Sequence, residues 1–229
     1  MIKGVLFDLD DTLYDSSSFA DRARREAIKM MIDAGLESTE EEAYNILQKI
    51  IKEKGSNYGK HFDDLVNAVM GYHDPKIITM GIISYHNVKF ALLRPYPDTI
   101  ETLMKLKALN LKLGIITDGI TLKQWEKLIR LGIYHYFDEV ITSEEYGLGK
   151  PNIEFFQYGL KKIGLKPEEV VYIGDRVDKD IKPAQKVGMS TIRILKGKYK
   201  NLDNDTECPT VNKLSEIVDI IKNLGLEKK

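Results

Sequence analysis

Five short apolar runs rich in β-branched residues, each leading into a segment of helical periodicity, narrow the folds open to this chain more than any other feature. The runs lie at 4–7, 113–117, 139–142, 170–173 and 191–195. They are apolar nearly throughout, as strands covered on both faces are, rather than alternating in the manner of half-exposed ones. Helical patterns occupy 99–109, 122–131, 153–163 and 179–187, and a last one lies near 213–224. Parallel strands need crossovers long enough to hold a helix, and this order of elements supplies them. The alternation therefore predicts an α/β fold, a Rossmann-like parallel sheet with helices on both faces. Punctuation agrees: Asp98 suits an N-cap, Gly132 and Gly164 sit at helix ends, and Pro151 follows Lys150 at a helix start.

One stretch interrupts the alternation. Between 16 and 94 no strand pattern occurs, and apolar residues recur at helical spacing over 18–34, 40–54, 63–70 and 76–90. The segment ends at Arg94-Pro95-Tyr96-Pro97, whose prolines favour an extended connector. Residues 1–15 and 95–229 are expected to form the α/β core domain. Residues 16–94 are expected to form a small all-α cap domain inserted after the first strand.

Charge and cysteine usage exclude several classes of function. The 34 basic and 35 acidic residues nearly cancel, whereas a chain built to grip nucleic acid carries a basic excess or stripe. The short basic run at 196–200 reads as a solvated loop. A single cysteine, Cys208, rules out an internal disulfide and fits a reducing compartment. The apolar run at 4–7 is too short for a secretion signal or a membrane span. A soluble, cytoplasmic protein is expected, with neither nucleic acid nor membrane as partner, as a monomer or a homodimer.

Chemistry gathers at the strand ends. Asp8 and Asp10 follow the first run one residue apart, so their side chains share one side of the chain. Open parallel sheets bind ligands at that carboxyl edge. Two such close carboxylates repel unless a proton or a cation intervenes, and a hard cation such as Mg²⁺ prefers oxygen ligands. A lone Asp-x-Asp more often just ends a strand, but three later elements join this one. Thr117-Asp118-Gly119 places a hydroxyl and a turn of backbone amides at a strand tip, a cradle for phosphate oxygens. Lys150 adds a point charge, and 172–180 presents Asp175, Asp178 and Asp180.

In this order the set resembles the haloacid dehalogenase-like hydrolase superfamily. Its motifs are Asp-x-Asp-x-Thr, then Ser or Thr, then Lys, then Gly-Asp with a further Asp, here at 8–12, 117, 150 and 174–180. The spacing resembles the branch with a helical cap between the first two motifs, including archaeal members that act on glyceraldehyde 3-phosphate. The resemblance implies a Mg²⁺-dependent phosphatase acting on a small phosphorylated metabolite such as a sugar or triose phosphate. It implies Asp8 as nucleophile, forming a phosphoaspartate, and Asp10 as general acid and then base. It implies metal ligation by Asp8, the Asp10 backbone carbonyl and Asp175. Thr117 and the amides of Asp118 and Gly119 would grip phosphoryl oxygens, and Lys150 would disperse charge. Asp180 would support Lys150 or a metal-bound water, a role that Asp178 could exchange with it. The dehalogenases of the superfamily lack an acid at the position of Asp10, so dehalogenation is not expected.

A phosphomutase of the same superfamily is the nearer alternative. A phosphoryl-accepting receiver is the remoter one, because receivers are about half as long and carry their Asp on a middle strand. Within the helical segment, Tyr58, Lys60 and His61 lie in a polar, glycine-punctuated link and are candidates for selecting substrate.

Overall fold

The structure, a computed structural model, describes residues 1–202 and 207–226. It divides the chain into two compact units, one of residues 1–17 and 94–229 and the other of Ser18–Leu93.

The first unit is built on a six-stranded parallel sheet in the order β3-β2-β1-β4-β5-β6. The strands are β1 (Gly4–Phe7), β2 (Lys112–Thr117), β3 (Glu139–Thr142), β4 (Val170–Gly174), β5 (Ser190–Ile194) and β6 (Thr210–Val211). Central β1 is buried along its whole length, which is why it carries no polar alternation. In register, Phe7 stands beside Ile115 of β2 and Ile173 of β4. Residues just beyond those three positions therefore emerge together at the carboxyl edge. From β1 the chain steps outward through β2 to β3, and from β4 it steps the other way through β5. The edge between β1 and β4 is thus the topological switch point, where such sheets bind ligands. The two residues of β6, which begins at exposed Thr210, are too few for a periodicity to mark.

Helices α5 (Thr99–Ala108), α6 (Thr121–Arg130), α7 (Ser143–Tyr146), α8 (Ile153–Ile163), α9 (Lys182–Lys186) and α10 (Ile217–Leu226) complete this unit. Helix α8 packs Phe155, Phe156 and Leu160 against Leu6, Ile116 and Tyr172 of the sheet. The Phe156 and Tyr172 rings meet edge to face at 5.2 Å.

Three local expectations need correction. The helix expected at 179–187 is a π-helical turn over Val177–Ile181 followed by the short α9. Pro183 has no N–H to continue a ladder, and the side chain of Asp180 accepts the Arg176 amide at 3.0 Å, opening the turn. Asp98 precedes α5 without capping it, because its carboxylate accepts the Ser215 amide at 2.9 Å. Helix α8 starts beyond Pro151, capped by Asn152, whose side chain accepts the Glu154 amide at 2.9 Å.

The second unit is all helical, with the C-terminal part of α1 (Ser16–Asp33), then α2 (Glu40–Lys54), α3 (His61–Met70) and α4 (Pro75–Leu92). Ile28, Met31, Leu47, Leu65 and Ile77 form its core. Thr39 and Glu42 close a capping box at α2, and Asp74 accepts the Lys76 and Ile77 amides ahead of Pro75 in α4. Gly81 lets α4 approach α1, since a Cβ there would come within 2.5 Å of Met31 Sδ.

Candidate active site

Asp8 follows β1, and its amide donates to Ile173 O at 2.8 Å, locking it beside the end of β4. Its side chain is buried, with Lys150 Nζ 2.6 Å from Oδ1. The same ammonium lies 2.6 Å from Asp180 Oδ1 and 3.4 Å from the Tyr172 hydroxyl. Asp180 is held on both oxygens, because Tyr172 donates to Oδ1 at 3.0 Å and the Arg176 amide donates to Oδ2. The turn that delivers Lys150 is held by Asp118, whose Oδ1 accepts the Lys150 amide at 2.8 Å. Gly149 allows that closeness, since a Cβ there would stand 2.6 Å from the same oxygen.

Three buried carboxylates, Asp8, Asp175 and Asp180, have ligand oxygens within 4.8 Å of one another. Set against one buried ammonium they leave two formal negative charges, which burial penalises. Burial, outweighing the attraction of Lys150 and helped by Asp180, pushes the pKa of Asp8 up to about 7. Burial, with Asp180 and Asp8 beside it, pushes Asp175 up to about 9. Burial works against the charge of Lys150, but Asp180 and Asp8 prevail and hold its pKa well above the usual lysine value. The Asp175 backbone carbonyl accepts from Arg193 Nε at 3.2 Å, fixing the chain there. An all-oxygen donor set with an excess of two negative charges fits a hard divalent cation such as Mg²⁺.

Two buried hydroxyl oxygens among the described residues, Thr12 Oγ1 and Thr117 Oγ1, have no hydrogen-bond partner. A buried hydroxyl without a partner is costly, and at the tip of β2 a phosphoryl oxygen would satisfy that of Thr117. The amide of Gly119, expected to serve the same purpose, is committed instead to Ser143 Oγ at 2.8 Å. Asp118 spends its side chain on Lys150, so its place is in shaping the turn.

Asp10 is half-buried and held by groups that the sequence did not announce. Lys127 Nζ lies 2.8 Å from both of its oxygens, and the Tyr14 hydroxyl donates to Oδ1. Burial, then the Asp10 carboxylate, raise the pKa of Tyr14 well above normal, so its hydroxyl stays a donor. The one sequence signal available was the spacing of Gln124 and Lys127, three apart on one helix face. Asp11 adopts φ +58° and accepts from the Ser16 hydroxyl at 3.0 Å and the Ser17 amide at 2.8 Å, tying the start of α1 to the loop.

Asp178 and Asp180 differ in their surroundings. Asp178 is exposed and paired with Arg176 (Nη2 to Oδ2, 2.5 Å), whereas buried Asp180 holds Lys150. Tyr58, Lys60 and His61 belong to the helical unit. There the Tyr58 and His61 rings meet edge to face at 5.3 Å, and His61 Nε2 lies 2.9 Å from Gly55 O. Lys60 sits at the N-cap of α3 and makes no side-chain cap there.

The model of the haloacid dehalogenase-like hydrolase family matches residues 5–194. A glyceraldehyde 3-phosphate phosphatase of Methanocaldococcus jannaschii is 72% identical, over 98% of this chain and 99% of that protein. A protein of the same name from Methanopyrus kandleri is 50% identical over 98% and 99% of the two chains. Among solved structures, a phosphatase of the same family from Thermococcus onnurineus superimposes with a TM-score of 0.71 at 27% identity, covering 96% of this chain and 98% of that one.

Proposed function

The chain belongs to the haloacid dehalogenase-like hydrolase family and is a phosphatase, and from that premise we propose that it hydrolyses a triose phosphate, glyceraldehyde 3-phosphate, through a phosphoaspartate on Asp8. The observation that carries the mechanism is a buried carboxylate pinned by Lys150 at 2.6 Å, at the switch point of the sheet. The unpartnered Thr117 hydroxyl at the neighbouring strand tip supports it. The substrate is carried over from the names of the two archaeal relatives.

In the first half-reaction an Asp8 oxygen attacks phosphorus in line, and the bond from phosphorus to the substrate oxygen breaks. Asp10 gives its proton to that departing oxygen. The Thr117 hydroxyl and the Asp118 amide hold the non-bridging oxygens in place. Lys150 aims Asp8 and favours its ionised form, while Asp180 and Tyr172 hold Lys150. In the second half-reaction Asp10 takes a proton from a water that attacks phosphorus, the bond to Asp8 breaks, and inorganic phosphate leaves. Mg²⁺, which Asp8, Asp175 and the Asp10 carbonyl would hold, supplies neutralisation of the charge on the phosphoryl oxygens when bound. The free thiol of Cys208 accords with a reducing compartment such as the cytoplasm. No helix among the described residues is long and apolar enough to cross a membrane.

The test is phosphate release from a panel of alkyl phosphates: glyceraldehyde 3-phosphate, dihydroxyacetone phosphate, phosphoglycolate, glucose 6-phosphate and AMP. It is run with Mg²⁺ and with EDTA, for the native chain and for Asp8→Asn. Release that needs Mg²⁺, is greatest on glyceraldehyde 3-phosphate and vanishes in Asp8→Asn is expected. A different best substrate would overturn the substrate, and an active Asp8→Asn free of deamidated protein would overturn the nucleophile.

A further inference from the structure

We propose that Lys127 is a positioning residue for the reaction: it orients the Asp10 carboxyl for proton transfer and, through Gln124, ties that carboxyl to the turn that grips phosphate. The inference rests on the reading of Asp10 as general acid.

Lys127 lies on α6, the helix that opens two residues beyond Gly119. Its Nζ bridges both Asp10 oxygens at 2.8 Å and lies 3.1 Å from Gln124 Oε1. Gln124 in turn donates from Nε2 to the Asp118 carbonyl at 2.7 Å. Its side chain is buried, so the bridge has little room to shift. A continuous set of polar contacts thus runs from the Thr117-Asp118-Gly119 turn through Gln124 and Lys127 to Asp10, and the Tyr14 hydroxyl meets Asp10 as well. The Asp10 side chain is 34% exposed, whereas that of Lys127 is only 15% exposed. A half-exposed carboxyl samples several rotamers, and donors on both oxygens confine it to one. Placement matters because a displacement of about 1 Å in a reacting group can cost roughly 10²-fold in rate. A surface ion pair serving the fold alone would not need its ammonium withdrawn from water or braced by a buried glutamine.

The two roles separate by leaving group. An alkyl phosphate departs as an alkoxide and needs the proton, whereas p-nitrophenyl phosphate departs as a stable phenolate and scarcely needs it. The measurement is kcat/KM, which reports steps through the first P–O cleavage, for native protein, Lys127→Met, Lys127→Arg and Asp10→Asn. The substrates are the best alkyl phosphate of the panel above and p-nitrophenyl phosphate, and each variant is checked by circular dichroism and melting.

Lys127→Met is expected to lose about 10–100-fold on the alkyl phosphate and less than about threefold on the aryl one. Lys127→Arg is expected to recover most of the alkyl loss, and Asp10→Asn to show the same contrast more strongly. Equal losses on both substrates, or no loss on the alkyl one, overturn the inference, and so does a contrast in Asp10→Asn that Lys127→Met lacks. If Asp10→Asn shows no contrast, the acid itself is misassigned and the role of Lys127 falls with it.

Discussion

At the residue scale the site is a problem in burying like charges. Asp8, Asp175 and Asp180 lie close together out of water, and Lys150 is the buried ammonium that meets two of them. Removing one partner of a buried ion pair strands the other, at a cost of about 3–5 kcal/mol. Lys150→Met is therefore expected to lower unfolding stability in EDTA by about that amount, read by urea titration. An unchanged midpoint would show that protons already compensate the cluster. Asp180 touches Lys150, Tyr172 and the Arg176 amide, and so is placed to aim the ammonium at Asp8. Asp180→Asn keeps a side chain of the same shape but gives up the charge. It is expected to lower kcat about 10–100-fold with Mg²⁺ affinity held within a few-fold. A large loss of Mg²⁺ affinity with kcat intact would make Asp180 a metal ligand instead.

At the element scale β4 and α8 form the platform under the site. Tyr172 faces Lys150 and Asp180 with its hydroxyl while its ring packs against Phe156. Truncating a fully buried phenylalanine leaves a cavity and costs about 3–5 kcal/mol. Phe156→Ala is expected to lose stability in that range by chemical denaturation. A loss below about 1 kcal/mol would mean that α8 collapses onto the sheet without it. The helical unit depends on its caps instead. Thr39→Ala removes one half of the capping box at α2 and is expected to cost about 1 kcal/mol, seen as a lower thermal midpoint.

At the scale of the whole molecule, a divalent cation would compete with protons for the same carboxylates. In an unfolded chain an aspartate titrates near 3.9, whereas burial places Asp8 at about 7 and Asp175 at about 9. The metal-free folded state therefore binds these protons more tightly than the unfolded one. Stability from these two groups is full below pH of about 4 and declines as pH rises through 7 and then 9. A bound divalent cation needs the ionised carboxylates and reverses that decline. The difference in melting temperature between Mg²⁺ and EDTA is expected to widen steadily from pH 5 to pH 9. A difference that stays flat, or narrows as pH rises, would show that Mg²⁺ binds elsewhere.

Much of this is legible in the chain alone. Unbroken apolar runs forecast a sheet buried on both faces, because a strand's surroundings are written in its own residues. Asp8, Thr117 and Asp175 stood out because each ends or follows a strand pattern, and Lys150 because it precedes a helical one. Two-residue β6 and the π turn at Val177–Ile181 escaped, the first too short for a period and the second decided by the contacts of Asp180. The contact of Asp180, rather than Asp178, with Lys150 and that of the Gly119 amide with Ser143 depend likewise on neighbours distant in sequence. Lys127 is the clearest case, since 117 positions separate it from Asp10. Periodicity and spacing are local properties, so the strands and the motif residues can be read from the chain alone. Which lysine meets which carboxylate depends on where the sheet brings its strand ends together, and that is a property of the folded molecule.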